Sequence, residues 1–364
     1  MSLILKNLPF ALDIGELTLK LVQLKKIGKI VKLTSFSSVD LPEGCIQHGE
    51  IRDQEQFKKS VELLFKKING KKIKTKNVIS VLPEPKTFIK WIKIESESSE
   101  LKEKKYDKGE LIIPEIISRE TEEHIPLPIK EIYLDWQVVS KTANSTEILI
   151  GAAPKSIVNN YLGVLKYCGF EPVALEIESM AIIRSLFPIN KNQDVGAKMI
   201  IDFGRVRTSL IIFDQNNIKF TVSLPISGKI LTETIAKRLN ISLEQAEKAK
   251  IVCSINKECQ TILTEILTDN TKHLIQKIKE AINFYKDHFT EAQEINELVI
   301  CGGGANLSGL EENLKTVLGK NIKKANPLVN IGRTYKSFDQ CLALKFTTAL
   351  GLALRGVHDK NLIY

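Results

Sequence analysis

The stretch Met199-Ile200-Ile201-Asp202-Phe203-Gly204-Arg205-Val206-Arg207-Thr208-Ser209 decides how the chain is read. An apolar run ends in Asp-x-Gly, a short polar turn follows, and a second apolar run continues over 209–213. Short apolar runs bounded by turn residues are the pattern of buried strands, so the spacing predicts a tight hairpin. The same order of residue types occurs near the start of the chain, as Ala11-Leu12-Asp13-Ile14-Gly15, Glu16-Leu17-Thr18 and Leu19-Lys20-Leu21-Val22-Gln23-Leu24. In that copy Lys20 follows Asp13 by seven residues. Such a hairpin can wrap a phosphate chain: backbone N–H groups line the turn, the Lys supplies a point charge and the Asp can hold a hydrated Mg²⁺. Taken singly, each is read equally well as an ordinary hairpin with a polar bend. Two copies in one chain point to two related halves facing one ligand.

A glycine-rich stretch follows further on, Val299-Ile300-Cys301-Gly302-Gly303-Gly304-Ala305-Asn306-Leu307-Ser308-Gly309-Leu310. An apolar run stops at three glycines and a helical pattern begins at Leu310, which predicts a strand, a tight turn and a helix. Without a Cβ the backbone at Gly302, Gly303 and Gly304 can take positive φ or lie flat against a ligand such as a purine ring. A plain αL turn accounts for the same residues.

Around these loops the periodicity switches between helix and strand, as in an α/β fold. Residues 54–68 are periodic as an amphipathic helix, 78–82 as a strand stopped by Pro83 and Pro85, and 88–94 as another strand. Residues 96–110 are highly charged without an apolar face and read as a mobile surface loop. Residues 114–123 read as a helix stopped by the segment His124-Ile125-Pro126-Leu127-Pro128, 132–139 and 147–152 as paired strands, and 156–168 as a helix capped by Gly169. Residues 81–169 thus read as a mixed α and β module with few candidate catalytic groups. Further on come a strand over 172–177, a helix opened by Glu178 and ended by Pro188, a strand over 218–224 and a helix over 228–239. Ser242 and Gln245 form a capping-box pattern ahead of a helix reaching Lys250, and 271–289 is a long amphipathic helix. In a last helix over 346–355, Ala349, Gly351 and Ala353 permit close packing.

With 364 residues and 43% hydrophobic content the chain is long enough for two cores, or one large domain with an inserted module. The net charge of +9 comes partly from six lysines among residues 66–76. That cluster suits anionic lipid headgroups or nucleic acid, and equally a solvated helix end and loop. No aromatic residues are interleaved with it to stack on single-stranded nucleic acid. The six cysteines show no C-x-x-C spacing, which argues against zinc and for reduced thiols in a cytosolic setting. Residues 1–10 are broken by Lys6, Asn7 and Pro9, and no segment approaches 18 uninterrupted apolar residues, so neither signal peptide nor membrane span is expected. Asn144-Ser145-Thr146 is a chance match to a glycosylation acceptor.

Two Asp-x-Gly hairpins, an intervening strand and helix, a Gly-Gly-Gly turn after a strand and a small-residue terminal helix stand in the order of the actin, sugar-kinase and heat-shock ATPase superfamily. Within it the chain resembles the PilM family of actin-like type IV pilus assembly proteins. Besides the three loops, the likeness rests on Ile125-Pro126-Leu127-Pro128 with Leu134-Asp135-Trp136-Gln137-Val138, and on Gly169-Phe170-Glu171-Pro172-Val173-Ala174-Leu175-Glu176-Ile177-Glu178. The resemblance implies an α/β, actin-like (ribonuclease H-like) two-lobed ATPase fold with an inserted small α+β subdomain. Its parts would be a first lobe over 1–82, the inserted subdomain over 83–169, an interdomain strand and helix over 170–197, a second lobe over 198–345 and a C-terminal helix over 346–364 returning to the first lobe. It also implies ATP and Mg²⁺ between the lobes. Asp13, Gly15 and Lys20 would face one side of the phosphates and Asp202, Gly204 and Thr208 the other, with Asp13 and Asp202 toward the metal. Gly303, Gly304 and Asn306 would lie along the adenosine and Gly228 near the ribose. Glu178 matches the position from which superfamily hydrolases orient water, where a carboxylate can act as general base; a helix N-terminal acid favoured by the dipole explains it equally.

Glu16 and Leu17 depart from the small or hydroxyl residues usual in the first turn of that family, and Arg205 and Arg207 from the small residues of the second. This implies a weakened or retuned phosphate site, in which the arginines offset Glu16 or contact phosphate. The function implied is an ATP-binding cytoplasmic adaptor, peripheral at the inner face of the cytoplasmic membrane, with slow or no ATP hydrolysis. Its expected partner is the cytoplasmic N-terminal peptide of a PilN-like membrane protein, with PilO and the pilus motor ATPase indirect, a possible homo-oligomer, membrane association through partners and no nucleic acid. Two other classes belong to the superfamily. A sugar or small-acid kinase needs a positioned Asp base that is not found outside the phosphate loops. An FtsA-like, filament-forming division protein ends in an amphipathic membrane helix, and residues 355–364 are too short and polar to serve as one.

Overall fold

A computed structural model describes residues 8–95, 117–119, 121–123, 125, 127–142, 145–188, 196–252, 257–289 and 292–358. The expected loop over 96–110, Asn144 of the glycosylation match, Pro126 and the last six residues of the tail lie outside them.

The first sheet begins with β1 (Phe10–Ile14), β2 (Thr18–Ile27) and β3 (Ile30–Asp40). A small hairpin, β4 (Ile46–Gln47) and β5 (Glu50–Ile51), precedes β6 (Asn69–Gly70) and β7 (Asn77–Leu82). Strands β8 (Phe88–Glu95), β9 (Ile132–Lys141) and β10 (Ser145–Pro154) form a separate antiparallel sheet, and β11 (Glu171–Ile177) returns to the first. The second large sheet holds β12 (Lys198–Phe203), β13 (Thr208–Asp214), β14 (Asn217–Leu224), β15 (Glu297–Cys301) and β16 (Asn321–Lys324).

The two large sheets have one topology. The first runs β11-β7-β1-β2-β3-β6 and the second β14-β13-β12-β15-β16. In each, three antiparallel strands form a meander, and two further strands extend it in parallel from the meander's first member. The duplication expected from the two Asp-x-Gly hairpins therefore extends to whole sheets, apart from the two-residue β6.

Alternation along β1 explains why that strand is buried throughout. Phe10, Leu12 and Ile14 enter a core shared with Phe57, Val61 and Leu64, whereas Ala11 enters another with Leu350, Ala353 and Leu354. Successive side chains of a strand point to opposite faces, so a strand covered on both sides is apolar along its length, and in β1 only Asp13, which lines the cleft, departs from that. The first face is covered by the helix Gln54–Lys66, whose Asp53 cap accepts from the Gln56 N–H at 2.9 Å. The other is covered by the helix Thr347–His358. Gly351 is required there, because a Cβ would stand 1.8 Å from the Ala181 carbonyl oxygen of the interdomain helix Glu178–Leu186. Each fully buried Leu or Phe contributes about 1.5–3 kcal/mol. In the second lobe the helix Lys257–His288 supplies Leu274, Ile278 and Tyr285 to the largest core, and the Tyr285 hydroxyl donates to Asp214 Oδ2 at 2.5 Å.

Two expectations need correction, and one strand carries no signal in the sequence. The helix Lys155–Tyr167, grouped above with the inserted module, buries Ile157, Tyr161, Val164 and Leu165 in the first lobe's core, because its apolar stripe matches that sheet. The long helix expected from Thr271 begins at Lys257; Thr261, Thr264, Thr268 and Asn270 have low helix propensity and hide the periodicity. Strand β3 was not foreseen, since Thr34, Ser35 and Ser37 interrupt its apolar pattern. Those hydroxyls are satisfied inside the fold, by the carbonyls of Gln23, Lys71 and Leu64 at 2.8, 2.6 and 2.7 Å.

Candidate functional site

Both hairpin turns close in the same way. The Gly15 N–H donates to the Thr18 carbonyl at 3.0 Å, and the Gly204 N–H to the Arg207 carbonyl at 2.9 Å. A Cβ on Gly204 would stand 2.7 Å from that Arg207 oxygen, so the second turn requires glycine. Asp13 and Lys20 are register partners on β1 and β2, which puts their side chains on one face, and Lys20 Nζ donates to Asp13 Oδ2 at 2.8 Å. Asp202 is flanked in register by Ser209 on β13 and Cys301 on β15, and the Cys301 thiol donates to its Oδ1 at 3.6 Å.

The triglycine turn packs against the second hairpin. Gly302 takes φ +78°, and a Cβ there would stand 2.3 Å from Asp202 Oδ1. A Cβ on Gly304 would stand 2.0 Å from the Phe203 ring, whereas one on Gly303 would meet nothing closer than Lys345 Cγ at 3.9 Å. Two of the glycines thus allow the turn to approach the hairpin, and Gly303 leaves its backbone open.

These loops enclose a cleft of about 990 Å³. Asp13, Gly15, Lys20, Glu178, Asp202, Gly204, Gly228, Gly303, Gly304 and Asn306 all line it. Thr208 does not: it is fully buried and its hydroxyl donates to the Ile226 carbonyl at 2.6 Å, while Ser209 and Arg207 reach the cleft instead. The sequence reading missed Glu84, Tyr161, Glu247 and Lys250, which also line the cleft. Lys250 Nζ donates to Glu247 Oε2 at 2.7 Å and to the Gly228 carbonyl at 3.3 Å, so the helix Leu243–Val252 places an ion pair beside the expected ribose position. Nothing in that helix's sequence separates the pair from ordinary surface charges at i,i+3 spacing.

Charge in the cleft is unbalanced. Burial alone would lower the Lys20 ammonium, but Asp13, together with Asp202 and Glu178, holds it above its usual range. Burial pushes the Asp202 carboxyl up to about 6, with Lys20 opposing. Burial, reinforced by Asp202, Asp13 and Glu84, raises Glu178 well above the usual carboxylate range. Burial also raises Glu84, whose Oε2 has no hydrogen-bond partner. Glu178 opens its helix and receives a hydrogen bond from Thr348 Oγ1 at 3.4 Å, so it satisfies both the helix-dipole reading and a place in the cleft.

The donor set fits Mg²⁺ held largely by water and phosphate oxygens. Among the described residues no three His, Cys, Asp or Glu side chains converge as ligands. Asp13 and Asp202 face one cleft from opposite lobes, and Mg²⁺ is commonly held by one or two carboxylates plus substrate phosphates.

The departures noted in the sequence have partners in the fold. Glu16 Oε1 accepts from the Gly49 N–H at 3.0 Å. Arg205 Nη1 meets Asp40 Oδ1 at 2.5 Å, and Lys229 Nζ meets Glu43 Oε1 at 2.6 Å; both pairs cross from the second lobe to the first. Arg207 Nε donates to Ser223 Oγ at 2.9 Å.

Two sheets of one topology, each offering an acidic hairpin to a central cleft, define an actin-like ATPase fold. The chain belongs to the PilM family: the family model described as type IV pilus assembly protein PilM matches residues 11–357. A solved PilM-PilN type IV pilus biogenesis complex superposes with a TM-score of 0.79 at 24% identity, covering 96% of this chain and 98% of that one. MreB5 of Spiroplasma citri bound to ADP superposes with a TM-score of 0.51 at 13% identity, over 96% of each chain. Cell division protein FtsA of Enterococcus hirae is 24% identical over 197 residues, which cover 48% of this chain and 43% of the relative. The chain spans less than half the length of the curated relatives it matches. No helix among the described residues is long and apolar enough to cross a membrane.

Proposed function

We propose that the chain is an ATP-binding cytoplasmic adaptor of the type IV pilus assembly platform, stationed at the inner face of the membrane by a PilN-like protein whose N-terminal peptide it binds. The observation that carries the nucleotide half is the meeting of Asp13, Lys20, Asp202 and Gly303 in one cleft. Asp13, Gly15 and Lys20 would hold the phosphates from the first lobe and Asp202 and Gly204 from the second, with Gly228, Gly303, Gly304 and Asn306 along the nucleoside. Bound Mg²⁺ would supply positive charge between Asp13, Asp202 and the ATP phosphates, and Lys20 would help to offset the phosphate charge. Glu178 is the candidate general base, with slow or no hydrolysis expected; burial raises its carboxyl well above the usual carboxylate range, which strengthens the ionised form as a proton acceptor.

The peptide half rests on β9. It is an edge strand of the inserted sheet, and Tyr133, Trp136 and Val138 on it are 41–47% exposed. A free strand edge with apolar side chains is what an extended peptide uses to add itself to a sheet. The MreB5–ADP likeness and the PilM–PilN complex make both halves of the reading consistent with the family. A synthetic peptide of the PilN-like protein's cytoplasmic N-terminus, taken from the same genome, should bind in calorimetry and lose about tenfold in affinity on Trp136→Ala. Absence of binding with and without Mg-ATP would sink the adaptor reading.

A further inference from the structure

Three stretches of the sequence contain no Asp or Glu: 21–39, 63–83 and 325–338. The fold brings all three to one rim of the first lobe. Gly70 and Asn69 of β6 pair with Ser35 and Phe36 of β3, and the Lys71 N–H donates to the Thr34 carbonyl at 2.9 Å. Further along the same strand, the Leu33 N–H donates to the Arg333 carbonyl at 2.9 Å and the Tyr335 hydroxyl to Thr34 at 2.7 Å. The outer side of β3 is therefore flanked by exposed Lys71, Lys72, Arg333 and Lys336.

The β2–β3 hairpin ends this rim. Its tip reads Lys25-Lys26-Ile27-Gly28-Lys29-Ile30, with Gly28 at φ +59° and Ile27 opposite Ile30 in the register. Ile27 is 57% exposed and Ile30 44%, and Lys25, Lys26 and Lys29 are exposed around them. Among the described residues none of the rim's lysines, nor Arg333, forms an ion pair.

We propose that this rim docks directly on an anionic lipid bilayer, with the lysines and Arg333 against the headgroups and Ile27 and Ile30 entering the acyl boundary. Several cations free of ion pairs along one rim are drawn to the negative potential of an anionic leaflet. Two exposed aliphatic side chains at the apex of a basic hairpin add apolar burial that a phosphate surface alone would not reward. The same cations would also attract nucleic acid, but the apex carries aliphatic residues in place of the aromatics that stack on bases, which favours the membrane. Ile27, Ile30, the rim's lysines and Arg333 neither line the nucleotide cleft nor lie on β9, so the inference does not rest on the function proposed above. It would place the chain on the bilayer before any partner peptide is captured.

The test uses the full chain with two kinds of vesicle, phosphatidylcholine alone and an equal mixture of phosphatidylcholine and phosphatidylglycerol. Sedimentation should occur with the anionic vesicles, at least about tenfold more strongly than with the neutral ones, and should weaken as salt is raised. The triple variant Lys25→Glu, Lys26→Glu, Lys29→Glu should lose this binding, and Ile27→Ser with Ile30→Ser should weaken it about tenfold at constant charge. Matched thermal melts check that the variants, all at exposed hairpin-tip positions, remain folded. Equal sedimentation of wild type and both variants, or none with anionic vesicles, would overturn the proposal. So would duplex DNA displacing the anionic vesicles at stoichiometric concentration, with Ile27→Ser and Ile30→Ser leaving vesicle binding unchanged.

Discussion

Asp13 and Asp202 stand at matching places in two hairpins whose turns close with the same N–H to carbonyl bond, yet their surroundings differ. Asp13 has a cation on the neighbouring strand, Lys20 at 2.8 Å. Among the described residues the side-chain hydrogen bond to Asp202 comes from the thiol of Cys301, a weak donor, at 3.6 Å. One copy of the duplicated hairpin carries its own counter-ion and the other does not. The cleft between them consequently gathers Asp13, Asp202 and Glu178 around a single ammonium, and burial raises the last two acids. The two hairpins share their geometry, and the register partner of the aspartate, Lys20 in one and Ser209 in the other, divides the charge.

Removing the counter-ion breaks this arrangement most severely. Lys20→Met leaves three clustered carboxylates without their shared cation and should lower unfolding free energy by about 2–4 kcal/mol, measured by denaturant titration of the nucleotide-free protein at neutral pH. Asp202→Asn should act in the opposite direction, raising stability by about 1–2 kcal/mol in the same assay, because it removes a buried charge that the fold does not balance. A loss of stability in that variant would mean that Asp202 is already neutralised within the fold.

The comparison sharpens with pH. Asp202 moves from an ordinary 3.8 to about 6 on folding, so the folded state binds that proton more tightly than the unfolded chain. Its contribution to stability is full below pH 3.8 and is lost as pH rises through about 6. The stability gap between Asp202→Asn and wild type should therefore open across that window and stay constant above it, as melts at a series of pH values would show. The smallest effect belongs to Thr208, which follows the second turn without reaching the cleft. Thr208→Val should cost about 1 kcal/mol, through the bond lost to Ile226, and leave nucleotide affinity unchanged in calorimetry.

Much of this was legible in the residues. The two Asp-x-Gly runs gave the duplicated hairpins, and the apolar stop before Gly302 gave the strand and turn that pack on them. The capping box at Ser242 and Gln245 is present in the fold, with reciprocal bonds of 2.9 and 3.1 Å. What escaped was whatever depended on contacts distant in sequence. Strand β3 gave no strand signal because the acceptors of Ser35 and Ser37, Lys71 and Leu64, lie 36 and 27 positions away. The resemblance put Thr208 beside the phosphates, but in the fold its hydroxyl donates to the inner carbonyl of Ile226. Glu84 and Glu247 carry no signal in the sequence, because burial of the first and the Lys250 contact of the second are products of tertiary packing.

The most direct test of a nucleotide cleft shared by the two hairpins is calorimetric titration of ATP into the nucleotide-free wild type and into Asp202→Asn, with Mg²⁺ and with chelator. Saturable one-site binding to the wild type that weakens about tenfold or more on chelation, and to the same extent in the variant with Mg²⁺ present, is the expected result. Binding that ignores both Mg²⁺ and Asp202, or no binding to the wild type, would contradict it.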